Sequence, residues 1–187
     1  MMLRQYRDLS LLSLGAETLV TACDSCGAVG EKEGDALRCP PEVTGALTAR
    51  VAMMEVLAAG AELRFVYNTL CCEMEPTGER VIQGIRGELA RARVDAALLS
   101  GSTEENFPTN MTAIGVVAVG ICAGTPRLGG VKAGDRAVLA ARPLVGQAIL
   151  HSREGEMLGY DEIRTLLALK GVREIAPCGS KGALHEG

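Results

Sequence analysis

Short apolar runs that alternate with two helix-like segments restrict the fold of this chain more than any other feature. Residues 42–59 carry apolar side chains at steps of three and four, and Gly60 follows as a C-terminal cap. Residues 77–92 show a second amphipathic pattern of the same kind. Predicted strands surround these helices, at residues 17–23, 36–39, 63–70, 96–99 and 112–119. The order predicts an α+β domain in which a mixed sheet carries two helices.

Composition excludes several classes of protein. The 187 residues carry 19 Lys and Arg against 23 Asp and Glu, a net charge of −4, and no basic stripe of the kind that binds nucleic acid is visible. No apolar run approaches the roughly 20 residues that cross a bilayer. The charged N-terminus lacks the apolar centre of a signal peptide, so we expect a cytoplasmic protein that contacts neither nucleic acid nor membrane.

A change in composition marks a candidate domain boundary. Five glycines and Pro126 lie between Gly120 and Gly134. We therefore predict a first domain at residues 1–122 and the start of a second α/β domain, apparently incomplete, at residues 123–187. Within the second part, residues 135–140 resemble a strand and residues 160–170 a helix.

The seven cysteines do not indicate a disulfide framework, because their number is odd and the expected compartment is reducing. Cys23 and Cys26 have the spacing of half a zinc knuckle, but no second pair of ligands follows. Small buried apolar side chains are the simpler interpretation of most of these cysteines.

Three acidic positions are candidates for chemistry. Asp24 follows a predicted strand as the first residue of a glycine-bearing loop (residues 24–35) that contains Lys32, an arrangement that suits a magnesium–phosphate site but is also typical of a surface turn. Glu55 borders the apolar stripe of the first helix, either as a solvated flank residue or as a metal ligand. Glu104 and Glu105 follow a short predicted strand, where they could bind a cation or remain solvated. Neither a P-loop nor a dinucleotide fingerprint occurs.

In order along the chain, these segments resemble the AIR synthase (PurM-like) superfamily of ATP-using enzymes. The matching segments are Asp24-Ser25-Cys26-Gly27, residues 54–62, Ser100-Gly101-Ser102-Thr103 and residues 112–120 of the first domain, followed by residues 131–135 and 177–186 of the second. The resemblance covers nearly the whole chain, but only part of the second domain.

The resemblance implies a PurM-like N-terminal domain with helices on one face of a mixed sheet, which dimerises through that sheet. It also implies ATP and Mg²⁺ as cofactors and a small-molecule substrate. The implied metal ligands are Asp24 and Glu55, with help from Glu104 or Glu105. The implied nucleotide-binding residues are Gly27, Gly30, Lys32, Gly101, Ser102 and Thr103. No catalytic base is implied.

Within the superfamily, the nearest resemblance is to the α-ribazole kinases, through residues 101–106 and 177–182. It implies phosphoryl transfer from ATP to the ribosyl hydroxyl of α-ribazole, in the salvage of the lower ligand of cobalamin. Glu55 stands where the family usually has Asp, and Ser102 where it usually has an acid. There are two alternatives. One is another ATP-using enzyme of the superfamily, and the other is a catalytically incomplete protein that binds nucleotide or acts in assembly.

Overall fold

The computed structural model describes residues 2–95, 98–153 and 155–186. Its centre is a six-stranded sheet in the order β1-β2-β3-β8-β6-β7, and β4 and β5 form a separate parallel pair. The strands are β1 (Met2–Tyr6), β2 (Leu9–Leu14), β3 (Glu17–Gly27), β4 (Val29–Gly30), β5 (Leu37–Arg38), β6 (Glu62–Leu70), β7 (Leu99–Thr103) and β8 (Ala113–Ala123). The helices are α1 (Pro41–Ala58), α2 (Glu79–Arg91), α3 (Gln147–Leu150), α4 (Tyr160–Ala168) and α5 (Ala183–Glu186), and an irregular turn at Met74–Gly78, in which Glu75 is extended (φ −116°, ψ 130°), precedes α2.

The sheet is mixed. β3 and β8 pair antiparallel over eleven residues each in its centre, and β6 lies antiparallel to β8 but parallel to β7. The predicted strand at 17–23 continues to Gly27, because residues 24–27 remain paired with residues 113–116 of β8. The interpretation of Asp24 as the first residue of a loop was therefore wrong. A hairpin of β1 and β2, which the sequence analysis did not predict, extends one side of the sheet.

Both long helices lie on the same face of the sheet. α1 packs against β3 and β8, and α2 packs against α1. The predicted apolar face of α1 was wrong in part, because Val51 is 48% exposed whereas the small residues Thr44, Thr48 and Ala52 are buried. α1 is covered by the sheet on one side and by α2 on another, so small side chains are needed where its neighbours approach most closely. The α+β fold class, with helices on one face, is confirmed.

The chain beyond residue 123 contains little regular structure. The predicted strand at 135–140 does not form, and all of these residues are exposed. The predicted helix at 160–170 is confirmed as α4, which packs on the core through Tyr160 and Ile163. Of the predicted strand at 96–99, residues 96 and 97 lie outside the described residues, and β7 continues to Thr103 where a loop was expected. No helix among the described residues is long and apolar enough to span a membrane.

Candidate active site

The side chain of Asp24 lies on the helix-covered side of the sheet. Along β3 the buried residues Val20 and Ala22 alternate with more exposed ones, and Asp24 continues the buried row as a half-buried carboxylate. Burial raises the pKa of Asp24 above its ordinary value, and the nearby carboxylate of Asp8 raises it further, while a hydrogen bond from the Ser25 backbone opposes both effects. An acid is thus held where its charge is unfavourable unless a cation approaches.

Asp8 is the site residue that the sequence analysis missed. It lies in the two-residue turn between β1 and β2, next to Arg7, which has a φ of 50°. Leu9, the next residue, begins β2 and is buried, so the turn is fixed against the body of the domain. In the sequence Asp8 is an acid at the tip of a short hairpin. It could be recognised as a candidate only after the hairpin itself had been recognised.

Glu55 approaches the same region from the last turn of α1. It lines a cavity of about 10 Å³ together with Arg7, Asp8, Leu9, Ala59, Leu128 and the segment 174–177. Asp24 is not part of that lining, so Asp24 and Glu55 do not share this cavity directly. Asp8 neighbours both, because it faces Glu55 across the cavity and acts electrostatically on Asp24. Asp8 therefore connects the two predicted metal ligands in the corner formed by Asp8, Asp24 and Glu55, although Asp24 lies outside the cavity that Asp8 and Glu55 line.

These acids suit a hard divalent cation. No set of three or more His, Cys, Asp or Glu side chains in the described parts of the chain is already arranged as a metal centre. The repulsion between Asp8 and Asp24 nevertheless marks a place where a cation would neutralise carboxylates that otherwise destabilise each other. Mg²⁺ favours carboxylate and phosphate oxygens and usually binds through only one or two carboxylates of the protein. The carboxylates of Asp8, Asp24 and Glu55 are of the kind that Mg²⁺ prefers, and Arg7, which lines the cavity with Asp8 and Glu55, already places a positive charge there.

The loop after β3 is held mainly by its own hydrogen bonds. The buried carboxylate of Asp35 accepts hydrogen bonds from the backbone amide of Lys32 (2.8 Å) and from the amide and hydroxyl of Thr112 (2.7 and 2.8 Å). Gly30 lies so close to this group that an added Cβ would be 2.3 Å from Oγ1 of Thr112. The amides of Ala28 and of Gly34 likewise donate to backbone carbonyls of the segment before β8.

The three phosphate-binding residues predicted on this loop therefore lie in different settings. Gly27 is exposed at the end of β3, and Gly30 is buried against Thr112. The ammonium group of Lys32 is paired with the carboxylate of Glu73, which also accepts a hydrogen bond from Thr77. A phosphate role for Lys32 remains a prediction, and it requires that this pair open.

Residues 100–105 lie at the edge of the sheet formed by β7, three strands away from the strand that carries Asp24. Gly101, Ser102 and Thr103 belong to β7, which is separated from β3 by β8 and β6. Three strand spacings of about 4.8 Å correspond to roughly 14 Å. Glu104 accepts a hydrogen bond from the amide of Asn106 (2.7 Å), and Glu105 accepts one from the amide of Met74 (3.1 Å). This placement does not bring either glutamate to the corner formed by Asp8, Asp24 and Glu55.

A wider cleft, of about 310 Å³, opens on the face of the sheet that no helix covers. It is lined by Cys23, Asp24 and Ser25 of β3, by Gly115, Val116 and Val117 of β8 and by Thr69 of β6. Successive side chains of a strand point to opposite faces, so the side chains of Cys23 and Ser25 point into this cleft, whereas Asp24, which also borders it, directs its side chain to the helix-covered face.

Comparison with known proteins agrees with this architecture. The N-terminal domain of AIR synthase related protein matches residues 7–122. A comparison with curated protein sequences finds no match. Among solved structures, AaThiL complexed with AMPPCP and TMP is similar with a TM-score of 0.52 and 18% identity, over 68% of this chain and 40% of that one. Thiamine monophosphate kinase from Aquifex aeolicus is similar with a TM-score of 0.50 and 17% identity, over 65% of this chain and 39% of that one.

At such identities the likeness to these structures shows the fold alone, and this chain spans about 40% of their length. The family match is independent of that likeness and covers more than half of the 187 residues. It begins at Arg7 in the hairpin turn and ends at Cys122 in β8, so it contains every strand of the sheet except β1, together with α1, α2 and the acids Asp8, Asp24 and Glu55. The chain therefore belongs to the AIR synthase related protein family and contains its N-terminal domain.

Proposed function

We propose that this chain is part of an ATP-using enzyme that transfers a phosphoryl group with the help of Mg²⁺. The observation that supports the proposal is the position of Asp8, which lines one cavity with Glu55 and acts electrostatically on Asp24 in a domain of this family. Asp24 and Glu55 hold the cation in this proposal, and Asp8 assists them. Catalysis of phosphoryl transfer depends chiefly on positioning the reacting groups and on neutralising the charge that develops on the phosphate oxygens. Acids that bind a cation contribute to both.

The chain's own contribution is to hold these acids in place. Asp24 is fixed by the β3–β8 ladder, Glu55 by the last turn of α1, and Asp8 by the tight turn before β2. Bound Mg²⁺ would supply charge neutralisation on the phosphate oxygens. Burial of Asp24 and its repulsion from Asp8 favour cation binding, because the cation relieves both effects.

For the acceptor we propose the ribosyl hydroxyl of α-ribazole. Support comes from the resemblance of residues 101–106 and 177–182 to the α-ribazole kinases. AaThiL, which was solved in complex with AMPPCP and TMP, supports nucleotide binding by the shared fold but does not bear on this acceptor.

We also propose that two copies of the chain pair through the uncovered face of the sheet. Phe65 and Tyr67 are 47% and 41% exposed there and stack with ring centroids 6.2 Å apart. Val117, Val119 and Ile121 of β8 lie on the same face and are only partly buried. An apolar surface of this kind supports an interface between identical sheets. Sedimentation of the parent and of Phe65→Lys tests it, and a monomeric parent would contradict it.

Calorimetric titration with Mg²⁺–ATP tests the nucleotide site. We expect the parent to bind and Asp24→Asn to lose at least tenfold in affinity, since a ligand charge is removed. Glu17→Gln is the matched control, because Glu17 is an exposed carboxylate at the other end of the same strand. Equal binding by Asp24→Asn and the parent would contradict the proposed site.

Turnover assays distinguish the proposed kinase from its alternatives. ATP consumption that depends on α-ribazole supports the proposed acceptor, and consumption with another small molecule only would identify a different enzyme of the family. Ser102, which stands where the family usually has an acid, favours a second candidate, a nucleotide-binding protein without activity. Binding of Mg²⁺–ATP without turnover on any acceptor would support that candidate.

A further inference from the structure

Glu174, beyond the matched domain, is tied to the hairpin turn that carries Asp8. Its side chain is 4% exposed. It accepts hydrogen bonds from the hydroxyl of Tyr6 (2.8 Å) and from the backbone amide of Gly129 (2.8 Å), and it lies 3.5 Å from the guanidinium of Arg7. A buried carboxylate with three partners makes a specific contact, which here joins the segment around residue 174 to the hairpin of β1 and β2.

The residues that follow Glu174 lie over Asp8 and Glu55. The latch segment, which we define as residues 174–177, forms one wall of the cavity into which Asp8 and Glu55 also face. Ile175 of this segment and Leu128 beside it pack against the hydrophobic core. The space that remains is about 10 Å³, no more than one water molecule requires. A cation with attached phosphate oxygens does not fit there.

We propose that the latch segment is an autoinhibitory contact, which must move away before a cation–phosphate group reaches Asp8 and Glu55. The proposal rests on the proposed function, since it assumes that these acids bind such a group. Closure is favoured by the hydrogen bonds of Glu174 and by its ion pair with Arg7, which lines the same cavity as Asp8 and Glu55. A ligand that binds only the open form has an affinity reduced by the fraction of molecules that are closed.

Two variants weaken the latch by different means. Glu174→Gln removes the charge that faces Arg7, and Tyr6→Phe keeps Glu174 but removes one hydrogen bond to it. Arg173→Gln is the matched control, because Arg173 is the neighbouring residue but pairs with Asp135, away from the cavity. Tyr6→Phe tests the latch even if Glu174→Gln does not fold, which thermal unfolding shows.

The experiment measures the dissociation constant of Mg²⁺–AMPPCP by calorimetry, using the full chain. We expect both latch variants to bind more tightly than the parent, by about fivefold for the loss of one hydrogen bond, and Arg173→Gln to match the parent. Hydrogen exchange of the Gly129 amide, which donates to Glu174, should be faster in Glu174→Gln.

The possible failures are distinguishable. Unchanged or weaker binding in both folded latch variants would overturn the latch but leave the proposed function standing. Unchanged exchange at Gly129 in Glu174→Gln would likewise show that Glu174 does not hold the segment closed. If neither the parent nor any variant binds Mg²⁺–AMPPCP, the proposed function fails, and the latch fails with it.

Discussion

Gly84 of α2 lies directly against the backbone carbonyl of Glu42 on α1, so that a Cβ added to Gly84 would be 1.9 Å from that oxygen. The relationship is reciprocal, since a Cβ on Gly45 of α1 would lie 2.1 Å from the carbonyl oxygen of Val81 on α2. The two helices therefore cross at a pair of glycines. Their close approach explains why a glycine is kept within α2 despite its low helix propensity.

Gly84→Ala should destabilise the domain severely, because the added methyl group meets main chain of α1 and neither helix can move without disturbing the core. We expect a loss of about 3 kcal/mol or more in the free energy of unfolding, measured by urea denaturation.

Gly87→Ala is the matched control for that substitution. Gly87 lies one turn further along α2, and a Cβ there meets nothing within 4 Å. Because Ala favours the helix more than Gly does, this variant should be more stable than the parent by up to about 1 kcal/mol. Similar effects of the two substitutions would contradict the close approach of α1 and α2 at Gly84.

Tyr160→Phe should loosen the attachment of α4 to α2. The hydroxyl of Tyr160 donates to the buried carboxylate of Glu88 (2.9 Å), which also pairs with Arg50 (2.9 Å) and Arg91 (2.8 Å). Burial and the charge of Glu88 raise the pKa of Tyr160 above its usual range, so the phenol remains a donor. Loss of a hydrogen bond to a charged group costs about 1.5–3 kcal/mol.

Urea denaturation and the proteolytic release of residues 124–187 both measure this effect. Tyr67→Phe removes a hydroxyl from an exposed tyrosine and should change neither quantity. Equal behaviour of the two phenylalanine variants would show that the bond to Glu88 does not secure α4.

Asp24→Asn should stabilise the chain at neutral pH in the absence of metal. Because the pKa of Asp24 is raised in the folded state, the folded chain holds its proton to higher pH than the unfolded chain does. The free energy of unfolding therefore falls as pH rises from 3.8, the ordinary pKa of an aspartate, through the pKa of Asp24 in the folded chain. Above both pKa values the ionised Asp24 destabilises the folded chain.

Urea denaturation across pH 3 to 8 tests this expectation. The difference between Asp24→Asn and the parent should be present at pH 7 and disappear below about pH 3.8. Asp8→Asn should reduce the pH dependence in part, since Asp8 contributes to the raised pKa. An advantage for the parent at pH 7 would contradict the predicted direction.

Thr112→Val should destabilise the loop that precedes α1. The hydroxyl of Thr112 is fully buried and donates to Asp35 (2.8 Å), so its removal leaves a buried carboxylate with one partner fewer, at about 1–3 kcal/mol. Thr109→Val offers a close control, because the buried hydroxyl of Thr109 has no hydrogen-bond partner in the described structure. That second variant should be neutral or more stable in urea denaturation, and a larger loss than for Thr112→Val would contradict the role of Asp35.

Much of the fold could be predicted from local patterns. The predicted bounds of α1, β6 and α4 lie within two residues of the observed ones, because each has a clear period and a glycine or proline at an end. Gly60 has a φ of +79°, as its predicted capping role requires. The hairpin of residues 2–14 was missed, since its turn, Arg7-Asp8, lacks the glycine or asparagine that usually marks one.

The candidate site was predictable only in part, because it depends on contacts between distant segments. Asp24 and Glu55 could be selected as acids at the borders of apolar patterns. Asp8 could not, because its nearness to Asp24 depends on the pairing of β2 with β3. Glu104 and Glu105 looked equivalent to the other acids, yet β8 and β6 separate their strand from β3.

Periodicity and glycine placement were enough to determine which segments become helices or strands, since those preferences act over a few neighbouring residues. The tertiary structure alone decided that β2 pairs with β3, that α1 and α2 meet at two glycines, and that Glu174 reaches the turn beside Asp8. Contacts of this kind depend on how packed surfaces fit together over long separations in the chain, which no local pattern records.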